Sequence, residues 1–159
     1  MYFMMKNYYL FIIIVTINYS CKNDNPTVTT LYPNGSKREI YKTKNNKIEG
    51  EYLQYYKTGE LMIKKNFVNG KENGKAITYY ETGELKEVQN YLNGKVNGND
   101  TVFYKSGKKR YTSQYTDNLK DGIFQRWSES DSLEFETIYK MDSIVSIKDL
   151  IKNVSTDLN

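Results

Sequence analysis

Hydrophobic and polar residues alternate with a period of two along several short stretches of the chain. Leu61, Ile63 and Phe67 share one side of a strand, and Met62, Lys64 and Asn66 share the other. Leu133, Phe135 and Tyr139 oppose Glu134 and Glu136, and Tyr111 and Tyr115 oppose Arg110, Thr112 and Gln114. One apolar face and one wet face is the pattern of an antiparallel meander. The stretches that precede these are mixed. Tyr55 and Tyr56 point to opposite faces, so aromatic residues line parts of both sides of the sheet near the turns.

The pattern repeats. Gly35, Gly59, Gly83 and Gly107 are spaced by 24 residues, as are Gly50, Gly74, Gly98 and Gly122, and Gly70 and Gly94. These three phases account for all 10 glycines. Tyr32, Tyr56, Tyr80 and Tyr104 keep the same period, as do Tyr55, Tyr79, Phe103 and Trp127, and Phe67, Tyr91, Tyr115 and Tyr139. Each unit reads as a β-hairpin. In the unit from Gly50, Glu51 to Tyr56 run out, Lys57-Thr58-Gly59-Glu60 turn, and Leu61 to Val68 return. Glycine supplies the positive φ of the turn. In the last copy Ser130-Asp131 fills that slot, where Asp tolerates a left-handed backbone. Asn69-Gly70 and Asn93-Gly94 lead into the next unit, and Asp117-Asn118 keeps the same chemistry.

Stacked in register, equal phases become cross-strand ladders, and the Tyr32, Tyr56, Tyr80, Tyr104 series is expected to form one continuous aromatic stripe. Stacked hairpins touch only their neighbours, so the ends need capping. Ile144, Ile147, Ile151, Val154 and Leu158 fall near helical spacing behind Ser143 as an N-cap. Residues 143 to 156 are therefore expected to form a short amphipathic helix folded on the last hairpin, with a frayed extra strand as the alternative.

The front of the chain differs. Lys6 precedes the apolar run from Tyr8 to Ile17, which is too short for a membrane span of about 20 residues. A positive start followed by a short apolar run reads as a secretory signal peptide over residues 1–20. Cys21, the only cysteine, follows directly. Asn18-Tyr19-Ser20-Cys21 resembles the bacterial lipobox, in which the cysteine is lipidated and becomes the first mature residue. Ser20 fits that pattern, whereas Asn18 and Tyr19 depart from it. A retained signal anchor with a free thiol is the competing reading. Residues 21–30 read as the lipidated cysteine and a polar tether, 31–141 as the repeat domain, and 142–159 as a cap or tail.

Composition narrows the chemistry. The 159 residues include no His, one Cys and 23 Lys+Arg against 19 Asp+Glu. His-based triads and His-ligated metals are excluded, as are an intramolecular disulfide and a Cys-rich zinc site. The formal charge of +4, spread over mixed signs, does not argue for nucleic acid. The 16 tyrosines favour half-buried pleated surface. The glycines are explained by the period rather than by a phosphate loop. No fixed spacing of carboxylates argues for a glycosidase pair. The chain is expected to be non-catalytic, with no cofactor and no metal.

The run Gly74-Lys75-Ala76-Ile77-Thr78-Tyr79-Tyr80-Glu81-Thr82-Gly83-Glu84-Leu85, followed by Tyr91-Leu92-Asn93-Gly94-Lys95-Val96-Asn97-Gly98, resembles the bacterial variant of the membrane occupation and recognition nexus (MORN) repeat. The copy from Gly50 fits nearly as well. The copy from Gly98 keeps Phe103-Tyr104, Ser106-Gly107-Lys108 and Tyr115, and the copy from Gly122 has drifted. The resemblance covers about residues 30 to 141. It implies an all-β fold, an elongated single-layer antiparallel sheet of consecutive hairpins, and a scaffold or interaction role. Many bacterial members carry an antitoxin label, and many are predicted lipoproteins.

The resulting expectation is a cell-envelope lipoprotein that binds a protein partner through its repeat sheet. The alternatives are an antitoxin or immunity protein acting at the envelope, and glycan or lipid binding through the aromatic ladders. Tyr55, Tyr79, Phe103 and Trp127 are the candidate binding surface, because their sequence neighbours already supply the other face. An exposed edge strand also offers a homodimer contact.

Overall fold

The computed structural model describes residues 25–149. The expected signal segment, Cys21 and the last ten residues lie outside the described residues. The described chain is one open antiparallel sheet. Its strands are β1 (Thr27–Leu31), β2 (Lys37–Lys44), β3 (Lys47–Tyr55), β4 (Leu61–Val68), β5 (Lys71–Glu72), β6 (Gly74–Tyr79), β7 (Leu85–Leu92), β8 (Lys95–Phe103), β9 (Lys109–Thr116), β10 (Leu119–Lys120), β11 (Gly122–Trp127), β12 (Leu133–Lys140) and β13 (Ser143–Asp149). Neighbours in space are neighbours in sequence, with the two-residue β5 and β10 pairing back onto β4 and β9. The expected all-β architecture of consecutive hairpins is the one observed, and every strand pairing is antiparallel among the described residues.

Two kinds of turn alternate, one at each end of the strands. Asn45-Asn46, Asn69-Gly70, Asn93-Gly94, Asp117-Asn118 and Met141-Asp142 each place two successive residues at positive φ. That is the two-residue hairpin turn whose twist matches the flanking strands. At the other end, Gly35, Gly59, Gly83 and Gly107 each donate their backbone N–H to the carbonyl of the tyrosine three residues earlier. Asp131 takes the same place at φ 70 and donates to Ser128. The substitution of Asp for Gly read from the sequence is therefore accommodated by the same left-handed geometry.

Neighbouring repeats are stitched together at both ends. The N–H of Gly70, Gly94, Asn118 and Asp142 each donates to a carbonyl 22 residues earlier, on Ile48, Glu72, Val96 and Lys120. At the opposite end Tyr32, Tyr56, Tyr80 and Tyr104 donate their hydroxyls, each at 2.8 Å, to the carbonyls of Tyr55, Tyr79, Phe103 and Trp127. This corrects the expected aromatic stripe: the series is joined by hydroxyl-to-carbonyl bonds. The ring pairs among the described residues lie elsewhere.

Both ends of the sheet also depart from expectation. Thr27–Leu31, partly inside the expected tether, is a strand paired with β2 from Thr27↔Lys42 to Leu31↔Lys37. Its Thr-Val-Thr-Thr run is β-branched and suits a pleated surface. The expected helix from residue 143 is not present: Ser143–Asp149 is β13, paired antiparallel to β12. The reason is local. Met141-Asp142, at φ 49 and 66, repeats the Asp117-Asn118 turn one period later and sends the chain straight back along β12. Ile144, Val145 and Ile147 are β-branched, so the extended state suits them better than the helix that their spacing suggested. The rest of that segment lies outside the described residues.

One face carries the core. Strand register places Tyr41 opposite Tyr52, Tyr52 opposite Lys65, Ala76 opposite Gln89, Gln89 opposite Asp100, Asp100 opposite Ser113, and Phe124 opposite Thr137. These residues form one transverse row. Among the described residues the four buried side chains, Ala76, Asp100, Ser113 and Thr137, all belong to it. A single-layer sheet hides a side chain only beneath its neighbours on the same face, so the small residues of the row are covered and the large ones stay half-buried. Aromatic clusters flank the row at its two ends. Tyr41 stacks on Tyr52 at 5.8 Å, and Tyr52 meets Phe67 edge-on at 5.7 Å. Phe124 packs against Tyr111, Phe135 and Tyr139 at 5.9–6.4 Å. Each such pair contributes about 0.5–1.5 kcal/mol beyond its area. Between the clusters the row turns polar.

Candidate functional site

The four residues expected to form a binding surface sit at equivalent positions, one per repeat. Tyr55, Tyr79, Phe103 and Trp127 close strands β3, β6, β8 and β11, each opposite a shift in strand register. All four are half-buried. Their backbone carbonyls receive the tyrosine hydroxyls described above, so the main chain at each position is structural. Trp127 has the Lys109 ammonium 5.9 Å from its ring centroid. It also lines a hollow of about 310 Å³ together with Thr101, Thr112, Gln114, Ile123 and Gln125. Gln114 and Gln125 are already engaged there, accepting from the Ile123 N–H and donating to Glu136 respectively.

The sequence reading overlooked a second arrangement, on the opposite face, in the polar middle of the core row. The Tyr91 hydroxyl donates to Gln89 Oε1 at 2.5 Å, and Gln89 Nε2 donates to Asp100 Oδ2 at 3.3 Å. Asp100 is only 8% exposed, and its Oδ1 has no hydrogen-bond partner. Burial, with the negative charge of Glu87 nearby, raises the Asp100 carboxyl from its ordinary 3.8 to about 6, against the opposing pull of the Gln89 hydrogen bond. The same charges reach the flanking rings. Tyr91 is raised by burial and then by Glu72, Glu87 and Asp100. Tyr115 is raised by burial and then by Asp100. Glu87, Gln89, Tyr91, Asp100, Ser113 and Tyr115 therefore form one electrostatic unit across β7, β8 and β9.

The period explains why this unit is unusual. Asp100 occupies the phase of Tyr52, Ala76 and Phe124, and Gln89 that of Lys65, Ser113 and Thr137. At one side of the unit Lys65 lies 5.8 Å from the Tyr91 centroid and is paired with Glu72. At the other side Lys120 lies 5.3 Å from Phe124 and 5.0 Å from Tyr139. Each flanking station has its own cation against an aromatic ring. Among the described residues neither Glu87 nor Asp100 takes part in a salt bridge. An acid in a phase otherwise held by Tyr, Ala and Phe is the signal that the sequence carries. No group of three or more His, Cys, Asp or Glu side chains placed to hold a metal ion occurs among the described residues.

No curated protein matches the chain. The family model described as MORN repeat variant matches residues 48–69 and 72–93. Each matched segment runs from the start of one outgoing stretch to the two-residue turn that ends its hairpin, so the matches coincide with the structural repeat. Over these two units the chain is similar to the MORN repeat variant family.

Proposed function

We propose that the chain is a non-catalytic binding module. It presents the aromatic face of its repeat sheet to a protein partner while a lipid on Cys21 holds it at a bacterial cell envelope. The observation that carries this reading is the face itself. Tyr52, Phe67, Tyr91, Tyr115 and Tyr139 stand half-buried along a single-layer sheet that no second layer covers among the described residues. Aromatic rings with polar tips are favoured at protein interfaces. The similarity to the repeat family supports an interaction role, and the leading apolar segment with Cys21 after it supports export and anchoring. The partner's identity decides between a scaffold and an immunity or antitoxin protein.

A second reading places the ligand on the other face. The hollow beside Trp127, lined by hydroxyl and amide groups, suits a glycan. Affinity capture with the full-length protein from gently solubilised cells separates the two. The baits are the native chain, a Tyr91→Ala/Tyr115→Ala variant and a Tyr55→Ala/Tyr79→Ala/Phe103→Ala/Trp127→Ala variant. One stoichiometric protein lost with the first variant is the expected result. Loss with the second variant alone moves the site to the opposite face. Capture of no protein, with glycan binding that depends on Trp127, overturns the protein-partner reading. Replacing Cys21 with Ser is expected to release the chain from the membrane fraction.

A further inference from the structure

We propose that Asp100, with Glu87 on one side of it and Tyr91 and Tyr115 on the other along the aromatic face, receives a lysine or arginine side chain from the partner protein. This rests on the binding-module reading and names the chemistry of its contact.

Three observations converge on it. The first is Asp100 Oδ1, an oxygen of a side chain more than nine-tenths buried and without a hydrogen-bond partner. Leaving a buried charged acceptor unpaired is costly, and a donor brought from outside recovers that cost. The second is charge. Two carboxylates influence each other here with no lysine or arginine of the chain bridged to either among the described residues. The third is the chain's own precedent. Lys65 against Tyr91 with Glu72, and Lys120 against Phe124 and Tyr139, show the same face holding an ammonium beside aromatic rings on either side of the unit. The middle station shares Tyr91 with Lys65, adds Tyr115 and the two acids, and takes its own cation from elsewhere.

The chemistry favours an organic cation on a side chain. An ammonium or guanidinium uses the ring faces as well as the carboxylates. A metal ion asks for more oxygen ligands than two acids provide. Glu87, half-buried, is the approach, and Asp100 is the covered end. Seating the cation requires small rotations of the Tyr91 and Tyr115 rings, the first of which is tied to Gln89.

The test uses the full-length chain in a non-ionic detergent and four probes. These are the peptide amides Gly-Gly-Lys-Gly-Gly and Gly-Gly-Arg-Gly-Gly, the norleucine counterpart, and spermidine. Carboxyl and tyrosine-ring NMR signals are followed during titration. The expected result is a saturable shift at Asp100, Glu87 and Tyr115 with the lysine or arginine peptide and none with norleucine. Asp100→Asn is expected to weaken binding by about 30-fold or more, as truncation of a buried charge partner does, with sheet circular dichroism unchanged. Glu87→Gln is expected to weaken it less. Three results overturn the proposal: no saturable shift with either cationic peptide, equal shifts in Asp100→Asn, or spermidine binding at Asp100 with neither peptide. If the captured partner is lost with Tyr91→Ala/Tyr115→Ala but retained by Asp100→Asn, the binding face stands and the cation contact falls.

Discussion

The Tyr80 hydroxyl donates to the Phe103 carbonyl at 2.8 Å, 23 residues further along the chain. The bond joins the turn end of one hairpin to the last strand residue of the next, and Tyr32, Tyr56 and Tyr104 repeat it. It explains why an aromatic ring alone does not suffice in this phase. Tyr80→Phe keeps the ring and loses the donor. A hydrogen bond of this kind contributes about 1 kcal/mol. Tyr56→Phe, Tyr80→Phe and Tyr104→Phe are each expected to lower the unfolding free energy by that amount, read as a lower urea midpoint with an unchanged slope. An unchanged midpoint for all three would show that the inter-repeat bonds add nothing to stability.

Gly122 is the glycine that tolerates substitution least. A Cβ there would collide with Gln114 Oε1 and lie 2.9 Å from Gln114 Cβ, on a backbone at φ +127. Gly83, at φ +95, has nothing within 4 Å of the same position. Gly83→Ala is therefore expected to cost the left-handed penalty of about 1–2 kcal/mol. Gly122→Ala adds a collision and disturbs the bond from the Ile123 N–H to Gln114. A double-mutant cycle with Gln114→Ala should recover part of the excess, because Oε1 and Cδ are removed while the Cβ contact stays. Additive losses would mean that Gln114 moves aside freely.

The period made the hairpins legible from the sequence because glycine marks both turn types in most copies. Asp117-Asn118 and Ser130-Asp131 stay legible without glycine because neighbouring units fix their phase, whereas the outermost turns have no such flank. Asn45-Asn46 and Met141-Asp142 carry the same two-residue turn with no glycine at all. Missing the second of these led to a helix where β13 lies. The role of Tyr32, Tyr56, Tyr80 and Tyr104 was only half visible: their period showed that they align, and the structure shows that the hydroxyl does the joining. Tyr55, Tyr79, Phe103 and Trp127 were correctly seen as one phase, but periodicity says nothing of depth or of which carbonyl accepts a bond. Asp100 was missed for a related reason. A carboxylate in a repeat is ordinarily solvated, and burial here follows from Gln89 and Ser113 being its cross-strand neighbours.

Asp100 makes stability depend on pH. Its folded value of about 6 lies above its ordinary 3.8, so the native state holds the proton more tightly than the unfolded chain. The Asp100 contribution is then most favourable below pH 4, falls as pH rises through about 6, and is flat above that, whereas Glu84 and Asp121, both held below the usual carboxylate range, oppose it in acid. The step from 3.8 to about 6 corresponds to roughly 3 kcal/mol as an upper figure. Asp100→Asn removes the buried charge and is expected to stabilise the chain by about 1–3 kcal/mol at pH 7, with the gain vanishing near pH 4. Urea midpoints of both chains between pH 4 and 8 measure this. A gain that is the same at every pH would assign the effect to packing. The same substitution is expected to remove cation binding, so stability and binding move in opposite directions.

The β13 strand is the outer strand beyond β12 among the described residues, and it is poorly defended. Ile144, Val145 and Ile147 are 55%, 63% and 61% exposed. Its charged residues, Lys148 and Asp149, sit together at the end of the strand. Its defence is one bulge, where Val145 lies between the Tyr139↔Ile144 and Ile138↔Ser146 pairs, with no proline or mid-strand charge beside it. We therefore expect two copies to pair along β13, extending the sheet across both molecules. Val145→Lys and Ile147→Lys place a charge on that edge and are each expected to weaken self-association about tenfold or more, or about 1.4 kcal/mol. Sedimentation of the full-length chain in non-ionic detergent over a concentration series measures the constant. Association that is unchanged in both variants would move the contact away from β13. A native chain that stays monomeric throughout would mean that β13 does not pair two copies at those concentrations.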